Sequence, residues 1–272
     1  MSDHKDMFPA GTNGHATSIM PTAREAMLFL AVGILIALAS LVIFMSWPSL
    51  DMEMARSFTD ENSRFHLRTD DLINTFRKGV LFAIFFFYVI VIGGWVDAFN
   101  RQKVIWGLKW HQWSFLGASA LFGPVLIVNV IFKGNWGRAR PQFLEEFGGS
   151  LQYSDFWVWS DQCRDNCSFS SGEVAGVAMV FLSLAFVLKP LWRYLIVALG
   201  LICTAIIAWK RMALGSHFLS DTIMSVSFML MSVSFVYWVY YIRPAGWIDW
   251  FDAKQQEKLA RKEQEEDLKS AD

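Results

Sequence analysis

The stretch Lys210-Arg211-Met212-Ala213-Leu214-Gly215-Ser216-His217-Phe218-Leu219-Ser220-Asp221 lies between two long apolar runs and carries residue types that chemistry uses. An arginine, a histidine six positions later and an aspartate four beyond that stand where a hydrophobic segment should hold no charge. If Gly215 and Ser216 break one helix and cap the next, His217 and Asp221 fall one turn apart on the same helical face. The carboxylate would then hold the imidazole in a single tautomer, as an orienting group holds a nucleophile or base. On a soluble helix such a pair is more often two solvated groups, but charge at membrane depth is expensive and marks function.

Two more clusters belong with it. One is Lys133-Gly-Asn-Trp-Gly-Arg-Ala-Arg140-Pro141, and the other is Ser170-Ser171-Gly172-Glu173. Lys133, Arg140 and Arg211 would gather beside helix N-termini, where free N–H groups and the helix dipole favour an anion. Ser171 can donate a hydrogen bond, and Gly172 lets the backbone approach closely. These parts suit phosphoryl transfer, in which cations neutralise the non-bridging oxygens and positioning does most of the work. His217 would be the in-line nucleophile, giving a phosphohistidine that water hydrolyses, with Asp221 raising its basicity. The sequence has no Asp and Glu cluster of metal-binding type, so neither a metal nor another cofactor is expected.

The elements that must position these residues are long and apolar. Of 272 residues 54% are hydrophobic and 16% aromatic, and a formal net charge of -1 argues against a nucleic-acid partner. Six runs approach the ~20 apolar residues that a bilayer requires: 27–47, 79–96, 113–132, 173–188, 194–209 and 222–242. The expected architecture is an all-α polytopic membrane domain of six transmembrane helices over residues 23–243. It follows a flexible tail, 1–22, with no cleavable signal, and precedes a charged tail, 244–272, read as an exposed helix or disorder. The polar connection 48–77 has room for a short amphipathic helix.

Arg101, Lys103 and Lys109 between runs two and three, and Lys189 and Arg193 between four and five, place those loops and both termini in the cytoplasm. All three charged clusters then share the outer, periplasmic face. Cys163 and Cys167 fall in the same outer loop, where a disulfide is favoured over a zinc site because the loop has no histidine.

At these residues the sequence resembles the type 2 phosphatidic acid phosphatase (PAP2) superfamily, whose signature is Lys-x6-Arg-Pro, then Pro-Ser-Gly-His, then Ser-Arg-x5-His-x3-Asp. Lys133 to Arg140-Pro141 matches the first motif, and Arg211, His217 and Asp221 match the third at the family spacing. The resemblance implies phosphate binding by Lys133, Arg140, Ser171, Gly172 and Arg211, with His217 as nucleophile and Asp221 as its partner. It implies a lipid phosphatase of a bacterial inner membrane, acting on lipid A, undecaprenyl pyrophosphate, phosphatidylglycerol phosphate or phosphatidate. The second motif, Cys-Ser-Phe-Ser-Ser-Gly-Glu after a nearby cysteine, is similar to a proteobacterial subgroup associated with lipid A dephosphorylation.

Two positions depart from the pattern. Lys210 replaces a serine, a change read as peripheral, and Glu173 replaces the histidine that serves as the family's general acid. Glu173 is expected either to act as a substrate-assisted acid or to pair with Lys133 or Arg211 and order the site. A phosphotransferase from a carrier lipid and a silent lipid-phosphate binder are the competing functions.

Overall fold

The computed structural model describes residues 21–242 and 246–271, and among them the regular structure is helical. Helix α1 (Ala23–Ser46) opens with a capping box in which Thr22 and Glu25 each accept the other's backbone N–H. A short helix, α2 (Leu50–Arg56), occupies the polar connection. The Asp70 carboxylate caps α3 (Asp71–Arg101) by accepting the Ile73 N–H at 2.9 Å.

Helix α4 (Trp110–Ala120) runs on through a π-helical stretch, Leu121–Phe132, into a last turn, α5 (Lys133–Asn135). Pro124 sits inside that stretch, and Asn129 Nδ2 donates to its carbonyl at 2.9 Å. After a long loop come α6 (Gly172–Val187), α7 (Pro190–Ala213, with proline at its first position) and α8 (Leu219–Tyr237). The charged end is a helix, α9 (Trp247–Ala271), whose Trp247 and Phe251 pack on Trp110. Of the expected N-terminal tail, residues 1–20 lie outside the described residues.

Among the described residues five helical stretches are long and apolar enough to cross a membrane, where six were expected: α1, α3, the α4–α5 unit, α7 and α8 with its extension to Ile242. Helix α6 has 16 residues, about 24 Å at 1.5 Å per residue, short of the ~30 Å hydrocarbon core. Ser171 caps it at one end and Pro190 follows closely at the other. Two helices outrun their expected apolar segments. Helix α3 starts early enough to carry Arg77, and α7 continues far enough to carry Lys210 and Arg211 in its last turn.

The outward faces of these helices are apolar. Leu35, Val42, Phe82, Phe86, Leu121 and Leu201 are all exposed, as lipid-facing residues are and a soluble core is not. Helix α8 is the most enclosed of the long helices and packs against α1 and α6. At the α1–α8 crossing a Cβ on Gly33 would lie 2.9 Å from Met231 Cγ, and Ser227 Oγ donates to the Gly33 carbonyl at 2.8 Å. Small residues and serines let the two backbones close up without a water-driven force between them. The loop before α6, held by a Cys163–Cys167 disulfide, folds back over the start of α8.

Candidate active site

The turn from α7 to α8 is set by Gly215, whose φ of +63° suits glycine and where an added Cβ would strike the Phe65 ring. Phe218 is the residue that caps α8, and Asp221 Oδ2 accepts its N–H at 2.8 Å. His217 therefore precedes the helix. The expected shared helical face, with Ser216 as the cap, does not form, and the extended Phe218 is the reason.

His217 is nonetheless brought close to Asp221, with Nδ1 3.7 Å from Oδ2, too far for a hydrogen bond. Its Nδ1 instead lies 2.7 Å from the Ser168 carbonyl oxygen. A carbonyl only accepts, so Nδ1 carries the proton and Nε2 carries the lone pair. Nε2 is buried and meets no partner among the described residues. Burial pushes the His217 pKa down to about 3, against the opposing pull of Asp221, and Arg211 and Lys133 add to the depression. The imidazole is neutral at ordinary pH.

Asp221 holds the histidine's support. Its Oδ2 accepts from Ser168 Oγ, the side chain of the residue whose carbonyl orients His217, while Oδ1 accepts from Arg138. Arg138 is fully buried between two carboxylates: one terminal nitrogen donates to Asp221 and Ser220, and the other donates to Asp51 of α2 at 2.8 Å. Its guanidinium lies over the Phe218 ring, 4.2 Å from the centroid. Burial opposes its charge, and Asp221 and Asp51 outweigh that penalty and raise its pKa. Asp51 also accepts the Ser220 N–H at 2.9 Å, which anchors α2 on the first turn of α8.

Lys133, Arg140, Ser171, Gly172 and Arg211 come from four places in the chain to one end of the bundle. Arg140 and Lys133 share the Asn166 amide oxygen, at 2.6 and 3.5 Å. Gly172 begins α6 so close to Lys133 that a Cβ would lie 3.4 Å from Nζ. The Ser171 N–H is taken by Ser225 Oγ at 2.8 Å, and the following N–H groups of α6 have no carbonyl four residues back. Among the described residues, Arg140 Nε, Arg211 Nε, Ser170 Oγ and Ser171 Oγ are buried without hydrogen-bond partners, as is His217 Nε2. Buried donors left open beside an open lone pair make a socket for an anion with several acceptor oxygens.

Glu173 sits at the edge of this socket. Its Oε1 accepts from Arg77 Nε at 2.8 Å and Arg211 at 2.9 Å, and its Oε2 accepts from Lys210 Nζ at 2.7 Å. Arg211 is one of the two pairings expected, and Lys133 is not among its hydrogen-bond partners. Lys210, read as peripheral, is buried, and it pairs with the other residue that departs from the motif. Sequence alone assigns no role in the site to Asp51, Arg77, Arg138 or Ser168.

Two cavities meet at this edge. A polar one of about 210 Å³ is lined by Arg68, Asn74, Arg77, Arg140, Gln142 and Arg211. An apolar groove of about 570 Å³ runs along α3 and the π-helical stretch past Leu81, Ile84, Tyr88 and Val125, ending on Lys133, Gly172 and Glu173.

A family model described as the PAP2 superfamily matches residues 112–245, which include Lys133, Arg140, Ser171, Gly172, Glu173, Arg211, His217 and Asp221. Proteins named lipid A 4'-phosphatase are similar to this chain. One from Rhizobium leguminosarum is 40% identical over 104 residues, covering 38% of this chain and 44% of that protein, less than half its length. One from Rhizobium etli is 30% identical over 201 residues, 67% of this chain and 76% of the relative. One from Francisella tularensis subsp. novicida is 27% identical over 212 residues, 77% and 95% of the two chains. No solved structure gives a significant match. On the family model and the Rhizobium etli relative, the chain belongs to the PAP2 superfamily.

Proposed function

We propose that this membrane lipid phosphatase removes a terminal phosphate from a lipid at the periplasmic face of a bacterial inner membrane, with lipid A as the substrate that the names of its relatives favour. The observation that carries the reading is the His217 ring: neutral, fixed by the Ser168 carbonyl, with an unpartnered Nε2 beside unpartnered cationic and hydroxyl donors.

The lipid's acyl part lies in the groove along α3, and its phosphate enters the socket. Lys133, Arg140, Arg211, Ser171 and the first N–H groups of α6 hold the non-bridging oxygens. The Nε2 lone pair attacks phosphorus, and the P–O bond to the lipid breaks with its electrons going to the leaving oxygen. That oxygen takes a proton from water, and the hydroxide so formed attacks the phosphohistidine, returning Nε2 and free phosphate. During the intermediate the ring is cationic, and Asp221 at 3.7 Å stabilises that charge without accepting its proton. Glu173 acts as a positioning residue: with both oxygens occupied by cationic donors, it fixes Arg211 and Lys210 for the phosphate.

Purified protein should release inorganic phosphate from a phosphorylated glucosamine lipid and, on acid-free quenching, carry base-stable phosphate on His217. His217→Asn should abolish both. Release of phosphate without any label on the wild-type protein would overturn the histidine route. Transfer of the phosphate to an acceptor lipid in place of water would overturn hydrolysis. An alkaline phosphatase fusion after residue 150 that is active, with one after residue 105 inactive, would agree with the periplasmic orientation, and the reverse would refute it.

A further inference from the structure

The charge around the socket exceeds what one phosphate can use. Lys133, Arg140, Arg211, Lys210, Arg77 and Arg68 line or border the site, and among the described residues Glu173 is the carboxylate that ion-pairs with any of them. A phosphate dianion offsets two more charges and still leaves an excess. The excess concentrates in the polar cavity of about 210 Å³. Among the described residues neither Arg68 nor Arg140 has an ion-pair partner, and both Arg140 and Arg211 keep a buried Nε without a hydrogen bond. Arg140 and Arg211 are largely buried, and the single Glu173 carboxylate serves Arg211 and Arg77 but not Arg140, so close-set guanidinium groups with so little counter-charge are better accommodated when an anion joins them.

The position of the cavity says which part of a substrate reaches it. Arg77 and Glu173 stand between it and the groove, since Arg77 lines both spaces and Glu173 lines the groove. The apolar groove, the socket and the polar cavity therefore follow one another, so chains in the groove leave the far side of the headgroup to the cavity. Asn74 and Gln142 add neutral amides to the four guanidinium groups there, a mixture suited to a phosphate set among hydroxyls.

We infer that this cavity is a second anion subsite, which recognises a further phosphate of the substrate headgroup through Arg68, with Asn74 and Gln142, alongside the shared Arg140 and Arg211. The subsite deepens the lipid phosphatase reading and rests on it. The second phosphate can be a separate ester on the same sugar headgroup or the inner phosphate of a pyrophosphate, and the chemistry of recognition is common to both.

The test uses the full chain in detergent and three synthetic lipids of equal acyl length: a monophosphate, a headgroup with two separate phosphates, and a pyrophosphate. Arg68 is exposed and outside the socket, so Arg68→Gln should fold. Its KM should rise about tenfold on at least one two-phosphate lipid, as expected for loss of a charge-assisted contact, with kcat held and the monophosphate lipid unaffected. The arm that changes identifies the source of the second phosphate. Gln142→Ala, which removes only an amide of the cavity, should discriminate in the same direction and more weakly.

Equal effects of both variants on all three lipids, or no effect on any, would overturn the subsite while leaving the phosphatase reading intact. Wild-type protein that hydrolyses none of the three would overturn the phosphatase reading itself, and the subsite with it.

Discussion

Replacing Glu173 and Lys210 separately and together measures whether the two departures from the motif belong to one device. Lys210 Nζ is 2.7 Å from Glu173 Oε2, and both side chains are nearly closed to solvent. At an effective dielectric of about 20, unit charges about 3 Å apart attract by about 5 kcal/mol. Desolvation of both ions takes back much of this, so the measurable quantity is the loss when one partner is removed, about 3–5 kcal/mol for a buried pair. Arg77, with 44% of its side chain exposed, adds little because solvent screens it.

Glu173→Gln leaves buried Lys210 and Arg211 facing each other without a counter-charge. It should destabilise by about 3 kcal/mol, or roughly 6–12 °C in Tm for a chain of this size. Lys210→Met leaves Glu173 with both arginines and should cost about 1–2 kcal/mol. The double variant should be less destabilised than the sum by at least about 1.5 kcal/mol. Restoring the family pair, Glu173→His with Lys210→Ser, should be better tolerated than either change alone. Thermal unfolding in detergent, with kcat and KM on a phosphorylated lipid, reads all of this. A positioning residue raises KM through a displaced Arg211. Additivity within about 0.5 kcal/mol would refute the coupling. A kcat loss above about a hundredfold in Glu173→Gln, with stability and phosphate affinity intact, would return Glu173 to the general-acid role.

Three further outcomes follow from the geometry. Arg138→Leu leaves Asp51 and Asp221 buried and unpaired, and should cost more than about 4 kcal/mol, seen as loss of folded protein on size exclusion; wild-type recovery would refute the anchoring role. Nitrogen-15 NMR of the ring, assigned by its absence in His217→Asn, should show the neutral tautomer protonated at Nδ1 from pH 8 down to 5, and a titration near 6.5 would contradict the burial argument. Since the folded pKa of about 3 lies below the ordinary value, the unfolded chain takes up the proton first. His217 therefore favours the folded state fully above about pH 6.5, and that contribution is lost as pH falls toward 3. Gly176→Leu fills the groove at a position where an added Cβ would lie 3.3 Å from Ile84 Cδ1. It should lower kcat/KM about tenfold on long-chain lipids and leave a short-chain phosphate ester unchanged, because each displaced methylene forfeits about 0.8 kcal/mol of burial; equal losses on both would refute the groove's role.

That Lys133, Arg140, Gly172, Arg211 and His217 meet at one end of the bundle was legible because they stand out chemically: charge and glycine at the ends of apolar runs are costly there unless a ligand or a tight turn requires them. Asp51 and Arg77 were hidden for the opposite reason. They come from a connection that also holds Glu53, Asp60, Glu61, Arg56, Arg64 and Arg68, and nothing periodic marks which of these the fold will bury. Arg138 did have a signal. It stands two residues before Arg140 and past Gly137, whose φ of +71° and closeness to the Ser160 carbonyl leave no room for a Cβ. The segment from there to Arg140 is not helical, and its two arginines take different partners, Asp221 and Asp51 for one and Asn166 for the other. The support of His217 could not be read from residue types at all, because Ser168 holds the ring through a carbonyl that any residue would supply.

The two departures show how sequence and structure divide the information. Glu173 taken alone reads as a lost acid, and Lys210 taken alone as a harmless exchange. They are 37 residues apart, on different helices, and joined by one hydrogen bond. A histidine at 173 would leave Lys210 buried without a carboxylate, and a serine at 210 would leave Glu173 Oε2 without the lysine that now donates to it. Each departure removes the penalty of the other, so neither position can be judged by its motif, and the pair must be exchanged together if the socket is to keep a net charge that suits a phosphate dianion.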